Sequence, residues 1–118
     1  HGVQSSKDPA LMQRLAKDRV PLTVCPLSNL KLCVFPDLKQ HNIKSLLDAG
    51  LVATINSDDP AYFGGYMNEN WLQTFAATGL DARHAWQLAA NSFEASFIDA
   101  SAKQGYIDRL DAAFARFA

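Results

Sequence analysis

Long apolar runs are missing from this sequence. No segment approaches the roughly 20 uninterrupted apolar residues that a membrane-spanning helix needs, because Asp, Lys, Gly or Pro breaks every hydrophobic stretch. An excess of one charge is missing as well: 11 basic and 12 acidic side chains give a formal net charge of -1. That balance removes the electrostatic grounds for expecting a nucleic acid or an anionic membrane surface as partner, and a small molecule fits better. Cysteine is scarce. Cys25 and Cys33 form neither the dense framework of a secreted disulfide scaffold nor a Cys-x-x-Cys pair, so a reducing cytoplasm is the simplest expectation. Internal repeats, linkers and low-complexity stretches are also lacking.

What is present suffices for a core: 48% of the 118 residues are hydrophobic. The chain opens on His1-Gly2 without an initiator methionine or a targeting signature, and is read as a portion of a longer protein. Asp8-Pro9 supplies an N-cap with proline at the first helical position, and Leu11, Met12 and Leu15 follow at helical spacing. Val20–Cys25 then reads as a strand covered on both faces, ended by Pro26. A loop is expected from Leu27 to about Lys39. A second amphipathic helix carries Ile43, Leu46 and Leu47 and ends at Gly50, and a second buried strand runs over Leu51–Asn56. Beyond Ser57-Asp58-Asp59-Pro60, a loop over 61–66 leads to three helices. The first holds Trp71 and Phe75 and ends at Gly79, the second is capped by Asp81, and the last runs from near Ser101 through Phe114. Helix–strand alternation of this kind predicts an α/β protein with parallel strands, whose functional groups gather at the strands' C-terminal ends.

Asp58 and Asp59 stand at such an end. Adjacent carboxylates there repel each other unless a cation or a donor compensates them, so a metal is one reading; a helix cap or Asx turn before Pro60 is the other. His1 falls where another strand end is expected, although a lone histidine and one glycine say little alone. Cys25 and Cys33 read as packing residues, since no base lies near either in sequence. His41 and His84 lack a partner at metal-ligand spacing and read as surface residues. Gly64-Gly65 lacks a phosphate-loop pattern and reads as a flexible turn. Tyr62, Phe63 and Tyr66 suit either stacking on a planar base or closing off a core.

Taken together and in this order, His1-Gly2, Cys25-Pro26-Leu27-Ser28-Asn29 and Asn56-Ser57-Asp58-Asp59-Pro60 resemble the last third of the adenosine and adenine deaminase family. Ala90-Asn91-Ser92-Phe93 extends the resemblance over essentially the whole chain. The resemblance implies that residues 1–118 are the C-terminal part of a single (β/α)8 TIM-type barrel with additional C-terminal helices. It also implies one zinc ion, with Asp58 as a ligand, Asp59 as the contact to purine N7, and His1 beside the hydrolytic water. Zinc would make that water nucleophilic near neutral pH for attack at C6. The family's His-x-His ligands, a third zinc histidine and its proton-donating Glu have no counterpart here. A whole barrel takes about 250 residues, so this chain alone should neither hold zinc well nor catalyse.

Ser57, the Ala61–Tyr66 segment and Lys31-Leu32-Cys33-Val34-Phe35 look like the bacterial adenine deaminase branch, where adenosine enzymes typically place Thr at the position of Ser57. The expected reaction is adenine plus water to hypoxanthine and ammonia, in purine salvage. An adenosine deaminase and a degenerate, non-catalytic purine-binding barrel remain as alternatives, as does a stand-alone interaction module. The cytidine deaminase signature of His-x-Glu with Pro-Cys-x-x-Cys is not found.

Overall fold

Both buried runs form strands shorter than their apolar stretches. In the computed structural model, which describes residues 1–117, β1 spans Leu22–Val24 and β2 spans Ala53–Ile55. They pair in parallel, with Leu22 beside Ala53, Thr23 beside Thr54 and Val24 beside Ile55. The ladder extends past both ends: the Leu22 N–H donates to the Val52 carbonyl and the Asn56 N–H to the Val24 carbonyl, each at 2.8 Å. Parallel pairing puts the C-terminal ends of the two strands side by side. All three residues of β2 are buried, as expected, but Thr23 at the centre of β1 is exposed. The expectation of a strand covered on both faces therefore holds for β2 and fails for β1, because no element among the described residues lies over Thr23.

A helix precedes each strand. α1 spans Pro9–Lys17, and its N-cap Asp8 accepts the Leu11 N–H at 3.1 Å. Between the strands the chain forms α2 (Pro26–Lys31) and α3 (Ile43–Asp48), with a 3-10 turn at Leu38–Gln40. The expected loop after Pro26 is thus a helix for its first turn and a half. Proline at the first helical position has the fixed φ a helix needs and lacks only an N–H that would go unused, so the residue that stops β1 also starts α2. The same reason turns the start of the expected 61–66 loop into α4, Pro60–Phe63. Another 3-10 turn, Val3–Lys7, precedes α1.

The three C-terminal helices are α5 (Met67–Thr78), α6 (Ala82–Ala95) and α7 (Ala100–Ala115). None of the described helices is long and apolar enough to cross a membrane. The core lies where α3 and α6 meet the sheet: Val24, Ile43, Leu46, Leu47, Leu51 and Leu88 belong to one buried cluster. Met12, Leu15 and Ala16 of α1 cover it from outside. α6 is also bound to β2 by a hydrogen bond, since the Asn91 side-chain amide donates to the Ala53 carbonyl at 2.9 Å. In a parallel ladder that carbonyl points away from β1. Arg19 ties the turn after α1 to α6 through two hydrogen bonds to Glu94, at 2.6 and 2.7 Å.

His84 is only 2% exposed, which corrects its reading as a surface residue. Its ring completes a capping box on α6: Asp81 accepts the His84 N–H at 3.1 Å, and His84 Nδ1 accepts the Asp81 N–H at 3.2 Å. Its Nε2 meets Asp48 at the end of α3, 3.2 Å away.

Leu88 is fully buried and Leu72 is 71% exposed. Leu88→Ala should cost about 2–5 kcal/mol of unfolding free energy in a denaturant titration, and Leu72→Ala at most about 0.5 kcal/mol. Equal costs would misplace the core.

Candidate active site

The paired strand ends bring together residues from three parts of the chain. Asp58 follows β2 with a φ of 57°, in the left-handed region that Asp tolerates better than most side chains. This turn folds its carboxylate back, so that Oδ1 accepts the N–H of Asp59 at 2.8 Å. Oδ2 accepts the hydroxyl of Ser28, in the first turn of α2, also at 2.8 Å. Both oxygens are therefore anchored, and the group still keeps 30% of its side-chain surface exposed.

His1 Nε2 lies 3.5 Å from Asp58 Oδ2. Gly2 sets that approach with a φ of 85°, and a Cβ there would stand 2.7 Å from Leu22 Cδ2 in the core. Ser5 holds the turn by donating its hydroxyl to the Gly2 carbonyl at 2.6 Å. Cys25, directly after β1, completes the group: ligand atoms of His1, Cys25 and Asp58 all lie within 4.8 Å of one another. Burial, and then the charge of Asp58, push the Cys25 thiol above its ordinary pKa. The protonated thiol donates to the Thr23 carbonyl at 3.3 Å. Cys25 is thus a packed, hydrogen-bonded thiol, and the carboxylate beside it is the ready anionic donor.

The two aspartates have different surroundings. Asp59 is the N-cap of α4, its Oδ1 accepting the Tyr62 N–H at 3.3 Å, while its second oxygen makes no hydrogen bond among the described residues. Asp58 is held by its own turn at one oxygen and by Ser28, from elsewhere in the chain, at the other. Tyr62 and Tyr66 are 69% and 65% exposed, so they do not close off a core. Their segment is pinned by a residue the sequence did not single out. Asn70, fully buried, donates to the carbonyls of Gly65 and Tyr66 and accepts the N–H of Leu27. Gly65 permits this closeness, since a Cβ there would fall 2.5 Å from Leu27 Cδ1.

His41 is also buried, at 5% exposure, against the expectation of a surface residue. Its Nε2 lies 2.9 Å from Asn29 Oδ1, and its Nδ1 accepts the Ile43 N–H at 3.1 Å. Phe35 packs on the ring at a centroid distance of 4.6 Å. Burial lowers its pKa from 6.5 to about 4. Nothing at helical or metal-ligand spacing marks His41 in the sequence, because its partner Asn29 reaches it across the turn after α2.

A carboxylate that follows one of two parallel strands thus meets an imidazole from the start of the chain, and the chain belongs to the adenosine deaminase family, whose model matches residues 1–113. Within that family it is 67% identical over 117 residues to the adenine deaminase of Albidiferax ferrireducens, covering 99% of this chain and 34% of that protein. The crystal structure of adenine deaminase from Arthrobacter aurescens superposes with a TM-score of 0.92 at 38% identity, over 97% of this chain and 35% of that one. An amidohydrolase from Burkholderia ambifaria, solved with bound Zn, shares the fold with a TM-score of 0.80 at 24% identity, over 98% of this chain and 35% of that one. The chain thus spans about a third of the length of the relatives it matches.

His41 makes stability depend on pH. Below pH 6.5 the unfolded chain takes up a proton that the folded chain refuses until about pH 4, so this contribution is complete above 6.5 and is lost as the pH falls toward 4. The urea midpoint of the native chain should fall over that window, and His41→Gln should flatten the dependence. Parallel profiles would show that His41 is not held neutral by the fold.

Proposed function

We propose that residues 1–118 form the C-terminal portion of a single (β/α)8-barrel domain that hydrolyses adenine to hypoxanthine and ammonia. The observation that carries this reading is the doubly anchored Asp58 carboxylate beside His1 at paired strand ends, in a chain 67% identical to an adenine deaminase.

The donor set suits a divalent cation. Asp58 offers a carboxylate with one oxygen fixed by Ser28 and the other by the Asp59 N–H, with an exposed face left for a ligand, and zinc accepts carboxylate oxygen readily. One carboxylate and a neighbouring imidazole fall short of a full coordination shell, so the remaining ligands would come from outside this chain. When bound, the ion supplies a water acidic enough to act as a nucleophile near neutral pH.

The chain's own residues do the rest of their share through hydrogen bonds. His1, with Nε2 facing Asp58, is placed to hold the oxygen nucleophile as it attacks C6. The unpaired oxygen of Asp59 is free to accept a hydrogen bond from the purine N7–H, with the other oxygen kept in the α4 cap. The C6–O bond forms, the bond from C6 to the exocyclic nitrogen breaks, and that nitrogen leaves as ammonia after protonation by a group outside this chain. Exposed Tyr62 and Tyr66, on the segment pinned by Asn70, are available to contact a purine ring.

The test uses the full-length parent, loaded with zinc and given adenine and adenosine separately, with ammonia and product quantified. Release from adenine is expected. Preference for adenosine would overturn the substrate assignment, and turnover of neither would overturn the enzymatic reading. Asp58→Asn, which tolerates the left-handed turn, should lose bound metal and activity together. Asp59→Asn keeps the cap oxygen, should retain metal, and should lose roughly 10- to 100-fold in kcat/KM, the worth of one charged hydrogen bond. If both variants match the parent in metal content and rate, the pair serves only as a turn.

A further inference from the structure

Behind His1 runs a file of hydrogen bonds that begins at the main chain. The Ile43 N–H can only donate, and it donates to His41 Nδ1 at 3.1 Å. A neutral imidazole has one donor and one acceptor, so the proton of His41 lies on Nε2 and points at Asn29 Oδ1, 2.9 Å away. With its oxygen used in this way, the Asn29 carboxamide turns its NH2 toward His1 Nδ1, 3.3 Å away. That nitrogen of His1 must then accept, which leaves the His1 proton on Nε2, the nitrogen facing Asp58. Every direction in the file follows from an amide N–H that can neither titrate nor flip.

The surroundings keep the file from rearranging. Asn29 is 2% exposed and His41 5%, so neither has water as an alternative partner. Burial keeps His41 neutral down to about pH 4, and a protonated ring could not accept from Ile43. Phe35 covers one side of the His41 ring.

We propose that His41 and Asn29 are positioning residues that fix His1 in the tautomer protonated at Nε2, so that its N–H faces Asp58 and the attacking oxygen. The consequence for catalysis rests on the reading of His1 given above; the tautomer itself does not. Asn29 is the residue where the polarity of the file is decided, because a carboxamide both accepts from His41 and donates to His1. An aspartate of the same shape accepts from both sides.

The experiment compares the full-length parent with Asn29→Asp, using 15N-labelled histidine and nitrogen chemical shifts recorded above the imidazole titration range. In the parent, His1 Nδ1 should resonate as a bare ring nitrogen and Nε2 as a protonated one. In Asn29→Asp the proton should move to Nδ1, with unchanged metal content, a KM within about twofold, and a loss in kcat on the order of 10²- to 10⁴-fold, as for an imidazole held in the wrong tautomer. A second pair guards against misfolding: His41→Leu should release Asn29 and lower kcat, and His41→Gln, which restores a donor toward Asn29, should recover part of it.

A parent in which His1 is protonated at Nδ1, or an Asn29→Asp variant whose His1 tautomer is unchanged, overturns the proposal. So does a reversed tautomer with kcat intact. A parent that deaminates neither purine removes the catalytic reading of His1, while the nitrogen shifts still decide the tautomer, so the two failures are distinguishable.

Discussion

The parallel pairing of β1 with β2 brings groups some thirty residues apart in sequence to one edge of the sheet. Without it, Ser28 at the start of α2 could not reach Asp58, whose carboxylate would then be anchored only by its own turn. An unrestrained aspartate at a strand end is an ordinary solvated side chain. One whose two oxygens are each held at 2.8 Å, in a backbone conformation that few residues accept, has a fixed direction. Preorganisation of this kind lets a ligand bind without first ordering the group that receives it.

Much of the fold was legible because helix ends obey local rules. Asp8 and Asp81 each cap the helix that follows, and Gly50 and Gly79 lie just past the ends of α3 and α5. The missed elements, α2 and α4, are six and four residues long, too short to establish a helical period. The strands proved shorter than their apolar runs because Val20 and Leu51 lie outside the ladder, and Leu51 is buried there for its packing alone.

The site was less legible, for a physical reason. His41 and His84 have no neighbours in sequence that foretell burial; each is buried because a residue distant along the chain, Asn29 or Asp48, satisfies its ring. Asp58 and Asp59 are the same residue type in adjacent positions, so composition could not separate them. The backbone does, giving Asp58 a left-handed φ and Asp59 an extended one. Motif resemblance located the pair and proposed a separate role for each member, and the hydrogen bonds give the two carboxylates different surroundings.

The contact between Gly2 and Leu22 ties the site to the core. Leu22 is 8% exposed, belongs to the central cluster, and occupies the space that any side chain at position 2 would need. His1 thus rests, through one glycine, on a packed leucine of β1. Leu22 therefore meets two demands at once, packing in the core and leaving position 2 to a residue without a side chain.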